Sequence, residues 1–244
     1  MNVLRSEWLK VVSVRTTWAL LGAMILIEGL AAGLLTGLAD VDDLRTRDVA
    51  SLIIGTKLAI VFMFTLGALL STNEFRHGTA NSTFVVTPRR ERVVAAKLAV
   101  GLVVGIAGAL LYIAVNAGFG LAILSNRGID VDADRAVDAD ADVGVGVGLV
   151  LGCIFGVALG ALLRNQVLTV VTGMVIFLLA GTAALFIGSD VGRWFPGEAL
   201  LALQGTPGTQ DTLLSQTDGG LVLGAYCVVL GIAGMVMTRQ REIT

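Results

Sequence analysis

The residues whose types could do chemistry lie close together in one short polar run, Glu74-Phe75-Arg76-His77-Gly78-Thr79, which holds the only histidine of the chain. Adjacent carboxylate, guanidinium and aromatic groups can form charge-assisted contacts and an apolar anchor at a protein interface. His77 has no second candidate ligand near it in the sequence, which argues against a metal site or a catalyst. The run is too polar for a bilayer and therefore predicts a segment at a membrane surface, available to a partner, and we assign no catalytic and no metal-ligating residue.

A second group of carboxylates, the aspartates between Asp130 and Asp142, alternates with other residues in a way that resembles a calcium-binding loop. The helix-loop-helix calcium site requires glycine at its sixth position and glutamate at its twelfth. This chain has Arg135 and Ala141 at those positions. A solvated acidic loop is the better interpretation.

Two further ionisable residues, Glu28 and Lys57, lie inside long apolar stretches. A charged side chain at the centre of a bilayer costs about 2.5 to 3.5 kcal/mol on insertion scales, so each needs a partner. Their similar depths suggest that Glu28 and Lys57 pair across two neighbouring helices. A proton relay is the alternative, although no second membrane carboxylate or histidine continues a path.

The elements that position these residues are membrane helices. Mean hydropathy is +0.85, and only 15% of residues are charged, against roughly a quarter in soluble domains. About 20 helical residues cross the hydrocarbon core, and uniformly apolar stretches argue against barrel strands. We predict an all-α integral membrane protein, a single domain over 1–244. The six predicted spans are 18–38, 50–72, 98–124, 143–163, 167–187 and 221–238.

The distribution of basic residues predicts the orientation of these spans, because short cytoplasmic loops carry an excess of lysine and arginine. One side collects eleven basic residues and the other five. The larger group comprises Arg5, Lys10, Arg15, Arg76, Arg89, Arg90, Arg92, Lys97, Arg164, Arg239 and Arg241. We therefore expect both termini and the 73–97 loop on the cytoplasmic side of the plasma (inner) membrane.

Two segments outside the spans also have a predicted form. In residues 1–17, Leu4, Trp8 and Val11 share one helical face, which predicts an amphipathic helix on the inner leaflet; a plain extension of the first span is the alternative. Residues 188–220 form an external, re-entrant-like segment. Pro196 is expected to begin a short helix there and Gly205 to end it.

The fourth span carries a glycine at every fourth position from Gly144 to Gly160, which makes a smooth stripe on one helical face. Such stripes allow helices to approach closely. Packing within this bundle is the favoured interpretation, and a dimer interface is the alternative.

No phosphate-binding Gly-x-x-x-x-Gly-Lys-Ser/Thr run is present, so ATP-driven transport would need a motor on another polypeptide. The polar run, then Thr87-Pro88-Arg89-Arg90, then Lys97 at the next span, resembles the membrane subunits of type-2 ATP-binding-cassette (ABC) exporters. The predicted layout of spans is also similar to that family.

This resemblance implies a type-2 ABC transporter permease fold in which the 73–97 loop rests in a cleft of a separate ATPase subunit. Phe75 would serve as its anchor, and Glu74 and Arg76 would make rim contacts. It also implies a second permease copy or a sister permease, with the substrate pathway between the two. ATP would bind the partner, and this chain would bind no cofactor.

Other classes of protein are compatible with parts of the sequence. An ion-gradient-driven secondary transporter would place charged residues and broken helices at mid-membrane, where only Glu28 and Lys57 are available. A membrane-embedded enzyme would need clustered catalytic residues at one depth. A membrane immunity or signalling protein without transport is a further alternative. The expected partners are the lipid bilayer and other proteins, and not nucleic acid.

Overall fold

The computed structural model describes residues 3–38, 56–79, 90–126, 139–179, 182, 188–205 and 213–240. These residues form helices and turns, with no strand among them. In chain order the described helices are α1 (Val3–Ser13), α2 (Arg15–Leu38), α3 (Thr56–Arg76), α4 (Arg90–Asn126), α5 (Ala139–Leu163), α6 (Gln166–Leu178), α7 (Ser189–Gly192), α8 (Pro196–Leu203) and α9 (Gln216–Gln240).

Four of the described helices, α3, α4, α5 and α9, are long and apolar enough to cross a membrane, and the bent pair of α1 and α2 raises the number to five. The prediction of an all-helical chain is therefore confirmed for the described residues, and the four or five helices that could cross a membrane are compatible with the predicted membrane protein. α6 has only 13 described residues, and the predicted fifth span continues into residues outside the described part. The six-span arrangement stays a prediction.

α1 and α2 meet at a bend of 60° near Ser13, where the indole nitrogen of Trp18 donates a hydrogen bond to the carbonyl of Val12 at 2.9 Å. The predicted N-terminal helix is confirmed as an element. Leu4 and Trp8 are exposed, as a lipid-facing side of the helix requires, while Val11 is buried against the bundle. The predicted apolar face of α1 is therefore partly exposed and partly packed against the other helices.

α5 is the central helix and packs against α3, α4 and α9. A Cβ atom added at Gly156 would lie 2.2 Å from the Phe64 carbonyl oxygen, and one added at Gly67 would lie 2.0 Å from the Cys153 carbonyl oxygen. Apolar burial gives little drive for association between helices in lipid, so close backbone approach matters more. The glycine stripe thus packs within the chain, in agreement with the favoured interpretation.

Three aromatic rings join α3, α5 and α6. Phe64 and Phe177 have centroids 5.5 Å apart, Phe155 and Phe177 also 5.5 Å, and all three side chains are buried. These two pairs meet edge to face, the arrangement that the ring quadrupole favours.

The helix predicted in the 188–220 segment is present as α8. It begins with Pro196 at its first position, and Gly205 follows it with a φ of 63°. Proline suits a first turn because its missing N–H has no acceptor there, and glycine tolerates the left-handed conformation after a helix. All eight α8 residues are buried, mainly against α9.

The structure also changes the extent of the 73–97 loop. α3 continues to Arg76, and α4 already begins at Arg90, so that Glu74 and Lys97 both lie in helices. Residues 80–89, which include Pro88 and Arg89, lie outside the described part of the chain, as do the side chains of the aspartates from Asp130 to Asp142.

Candidate functional site

The polar run begins as the last turn of α3 and ends in a helix-terminating turn. The amide of Thr79 donates to the carbonyl of Glu74 at 3.0 Å, and the amide of His77 donates to that of Asn73 at 3.0 Å. Gly78 lies between them with a φ of 67°. The bond from Thr79 to Glu74, with Gly78 in the left-handed conformation, is that of a Schellman-type cap, which satisfies a carbonyl that a helix end leaves open. The run is therefore a capped helix end with a defined shape.

Four charged side chains close a ring at this end of the bundle. Glu7 accepts hydrogen bonds from Lys10 at 2.5 Å and from Lys97 at 2.7 Å. Glu74 accepts a hydrogen bond from Lys10, and Lys97 Nζ lies 3.4 Å from its second oxygen. Lys97 also donates to the carbonyl of Leu70 at 3.1 Å. Negative and positive groups thus alternate around a four-charge ring that connects α1, α3 and α4.

Helical periodicity places the ring residues inward. On α4, Lys97 shares a buried face with Val93, Val100 and Val104, at spacings of three and four residues. On α1, Glu7 lies one turn before the buried Val11. Glu7, Glu74 and Lys97 are each no more than 7% exposed. The ring is therefore part of the packed interior, although all its members are charged.

The ring is electrically neutral, with two ammonium groups opposite two carboxylates. Partial burial alone would lower the pKa of Lys10, but hydrogen bonds to Glu7 and Glu74 outweigh it and raise that pKa above the usual 10.5. Buried ions are tolerated when each is paired and hydrogen-bonded. A neutral ring that satisfies itself attracts no free ion, so the arrangement suits a mechanical link between helices.

One side of the ring faces a cavity of about 490 Å³ under the bend between α1 and α2. Apolar side chains such as Leu20, Leu66 and Val100 form its walls, and His77 and Thr79 line it as well. The open space lies between the helix end and α1.

The other residues of the polar run point elsewhere. Phe75 is partly buried, packs near Val93, and lies with its ring 5.6 Å from the Arg164 guanidinium carbon. Arg76 and His77 are exposed, and Arg76 donates to Gln166 Oε1 at 3.3 Å. We expected Glu74 at the exposed rim of a partner contact, whereas the structure buries its carboxylate in the ring. Phe75, expected as a partner anchor, is already in contact with this chain's own residues.

The structure describes the side chain of only one member of the proposed pair, Glu28, and not that of Lys57. Glu28 is 1% exposed, and neither of its oxygens makes a hydrogen bond of good geometry among the described residues. Its carboxyl group lies near the backbone amide of Ala59, which is two positions from Lys57 on α3. The Lys57 side chain lies outside the described residues, so that the pairing stays a hypothesis.

No known protein family and no curated protein matches this chain.

The sequence contains one signal for the four-charge ring, and it is an acidic residue rather than a basic one. Glu7 is the only acidic residue before the first span, and it stands three positions before Lys10, within reach on a helix. A single acid in a basic, interfacial segment indicates a specific cationic partner.

Among the described residues, no group of three or more His, Cys, Asp or Glu side chains is arranged to hold a metal ion.

Proposed function

We propose that this chain is the membrane-spanning permease subunit of an ABC exporter. In this proposal it has six spans with both termini in the cytoplasm. It forms the substrate pathway together with a second copy or a sister permease, and a separate ATPase subunit drives it by docking at the helix end that carries residues 74–79.

The observation that supports this proposal best is the four-charge ring. Glu74 lies within two positions of the exposed Arg76, and its carboxylate is bound by lysines from two other helices. A push on the capped helix end would therefore reach α1 through Lys10 and α4 through Lys97. A transmitter of motor motion needs such a connection, because a loosely attached loop would absorb the movement.

In this proposal the polar run has two roles, and the exposure of its side chains supports the division. Arg76, His77, Gly78 and Thr79 are exposed and are the residues available to touch an ATPase. Glu74 and Phe75 face this chain and hold the docking turn in place. In this refined form of the proposal, the first group supplies affinity and Glu74 supplies transmission.

One observation favours a second candidate, an ion-gradient-driven transporter. Glu28 is a buried carboxyl group in the middle of α2, and intramembrane carboxyl groups often take part in proton or cation coupling. In that case the pathway would run past Glu28, and no ATPase subunit would be needed.

The deciding experiment uses an ABC ATPase encoded next to this chain, co-expressed and purified with it. We expect His77→Ala to weaken association roughly tenfold, which corresponds to about 1.4 kcal/mol of contact energy. Glu74→Gln should leave association intact while this chain loses its effect on the ATP hydrolysis rate. Ser125→Ala, an exposed change at the far end of α4, is the control.

Two results would count against the proposal. The wild-type chain could fail to associate with any such ATPase, or both variants could match the Ser125→Ala control in association and in ATP hydrolysis. Uptake or efflux that follows an imposed pH gradient without ATP, and that Glu28→Gln abolishes, would favour the second candidate.

A further inference from the structure

A second cleft, of about 560 Å³, lies where the turn between α5 and α6 meets the end of α3. Its described lining contains two arginines, two amide side chains, one aromatic ring and three valines, and no acidic residue. These residues are Phe75, Arg76, Arg164, Asn165, Gln166, Val167, Val170 and Val171.

The two arginines of this cleft are held in place by this chain. Arg164 has a φ of 53°, donates a hydrogen bond to the Met237 carbonyl at 3.0 Å, and lies over the Phe75 ring. Arg76 is fixed through its bond to Gln166. Two positively charged groups at one cleft, without an acidic residue in its described lining, create a potential that favours an anion.

The first turn of α6 contributes to the same potential. Asn165 caps this helix by accepting a hydrogen bond from the Leu168 amide at 3.0 Å, and the 13-residue helix directs its positive dipole end toward the cleft. The dipole only adds to the charge of Arg76 and Arg164, which is the larger contribution.

Beyond the cleft, α6 presents an apolar stripe at four-residue spacing. Val167, Val171 and Val175 are 73%, 52% and 52% exposed, and the first two of them also line the cleft. The cleft is therefore cationic at one end and continuous with an exposed apolar helix face at the other. This is the chemistry of an amphiphile with an anionic head.

We propose that this cleft binds an anionic phospholipid of the membrane, with its phosphate between Arg76 and Arg164 and an acyl chain along Val167, Val171 and Val175. Basic pockets between helices at a membrane surface bind such headgroups. A bound lipid would brace the end of α3 against α6 and Met237. The inference does not depend on ATP-driven transport.

Charge and shape favour a lipid over an acidic segment of a partner protein. An acidic segment would satisfy the arginines, but it would not use the exposed valines of α6 that continue from the cleft. A phospholipid satisfies both surfaces with one molecule, and it is present wherever a membrane-spanning chain resides.

The test is native mass spectrometry of the full chain in detergent, with dioleoyl phosphatidylglycerol or dioleoyl phosphatidylcholine added. We expect the wild type to retain phosphatidylglycerol preferentially. Each arginine near a membrane surface contributes about 1 kcal/mol, or about fivefold in affinity. Arg76→Gln should therefore weaken retention about fivefold, and Arg76→Gln with Arg164→Gln more strongly.

The control is Arg92→Gln with Arg239→Gln, which removes two exposed charges outside the cleft. The double variant could fail to fold because it loses the hydrogen bond from Arg164 to Met237. Arg76→Gln changes only an exposed side chain, so it tests the proposal in that case too. Equal retention by Arg76→Gln and the control would overturn the proposal, and so would equally strong binding of soluble glycerol 3-phosphate. In Arg164→Gln, which lies outside the polar run, loss of ATPase association without loss of lipid retention would assign the cleft to a protein partner instead.

Discussion

Lys97 Nζ lies 2.7 Å from Glu7 Oε2, although 90 positions separate the two residues in the chain. Both side chains are almost fully buried, at 6% and 4% exposure. This contact joins the N-terminal helix to α4, and Glu74 extends the connection to α3. Because the charges alternate around the four-charge ring, removing one member leaves two neighbours of like charge close together.

The first prediction concerns Lys97. We expect Lys97→Met to destabilise the protein by about 3 to 5 kcal/mol, since two buried carboxylates lose their shared ammonium partner. The measurement is the thermal unfolding transition in detergent. Lys10→Met should cost less than about 1 kcal/mol, because Lys10 is half exposed and Lys97 still pairs with both carboxylates.

A second variant separates lost charge pairing from lost packing. Lys97→Met combined with Glu7→Gln leaves Lys10 to balance Glu74, so we expect the double variant to be more stable than Lys97→Met alone. An equal or greater loss in the double variant would mean that the ring acts through shape and not through charge.

The second prediction concerns pH. The folded-state pKa of Lys10 is raised above 10.5, so its stabilising charge is fully present below pH 10.5 and is lost as pH rises through the folded pKa. We expect wild type and Lys10→Met to differ in unfolding temperature by a constant amount between about pH 7 and 9, and to converge only as the pH rises through the folded-state pKa of Lys10, above 10.5. A difference that already shrinks as the pH rises from about 7 to 9 would contradict this assignment.

The helical membrane fold could be predicted from the sequence, because length and hydropathy are properties of single segments. The boundaries of α8 at Pro196 and Gly205 could also be predicted, because each of these residues has a strong backbone preference of its own. The glycine stripe from Gly144 to Gly160 indicated close packing, and four-residue spacing is likewise local.

The four-charge ring could not be predicted, because its members come from three helices and pair only in the fold. Lys97 was interpreted as a topological charge at the start of a span, although Val93 and Val100 place it on a buried face. Glu74 was interpreted as a surface contact because a polar run after a span normally faces water. Charge type predicts exposure poorly where an opposite charge lies on another helix.

The third prediction tests the crossing of α3 and α5. Gly67→Ala would place a Cβ atom 2.0 Å from the Cys153 carbonyl oxygen, so we expect the backbones to move apart at a cost of about 1 to 3 kcal/mol. Thermal unfolding in detergent is the measurement.

Gly224→Ala is the matched control, because a Cβ atom there meets nothing within 4 Å. Alanine is the better helix former by about 1 kcal/mol, so this variant should be as stable as the wild type or more so. If Gly67→Ala behaved like Gly224→Ala, the close approach of α3 and α5 would be refuted.

The fourth prediction tests the pairing of Glu28 with Lys57 by a double-mutant cycle. Glu28 is buried at the level of Ala59, so Lys57, two positions before Ala59 on α3, is the expected partner. If the two pair, Glu28→Gln and Lys57→Met should each lower the unfolding temperature. The double variant should lose less than the sum of the two single losses, with a coupling of about 0.5 to 3 kcal/mol.

Strictly additive losses would show that Glu28 and Lys57 are independent. In that case, loss of gradient-driven transport in Glu28→Gln alone would point to a role in proton coupling, since a carboxyl group without a lysine partner can exchange its proton with the pathway.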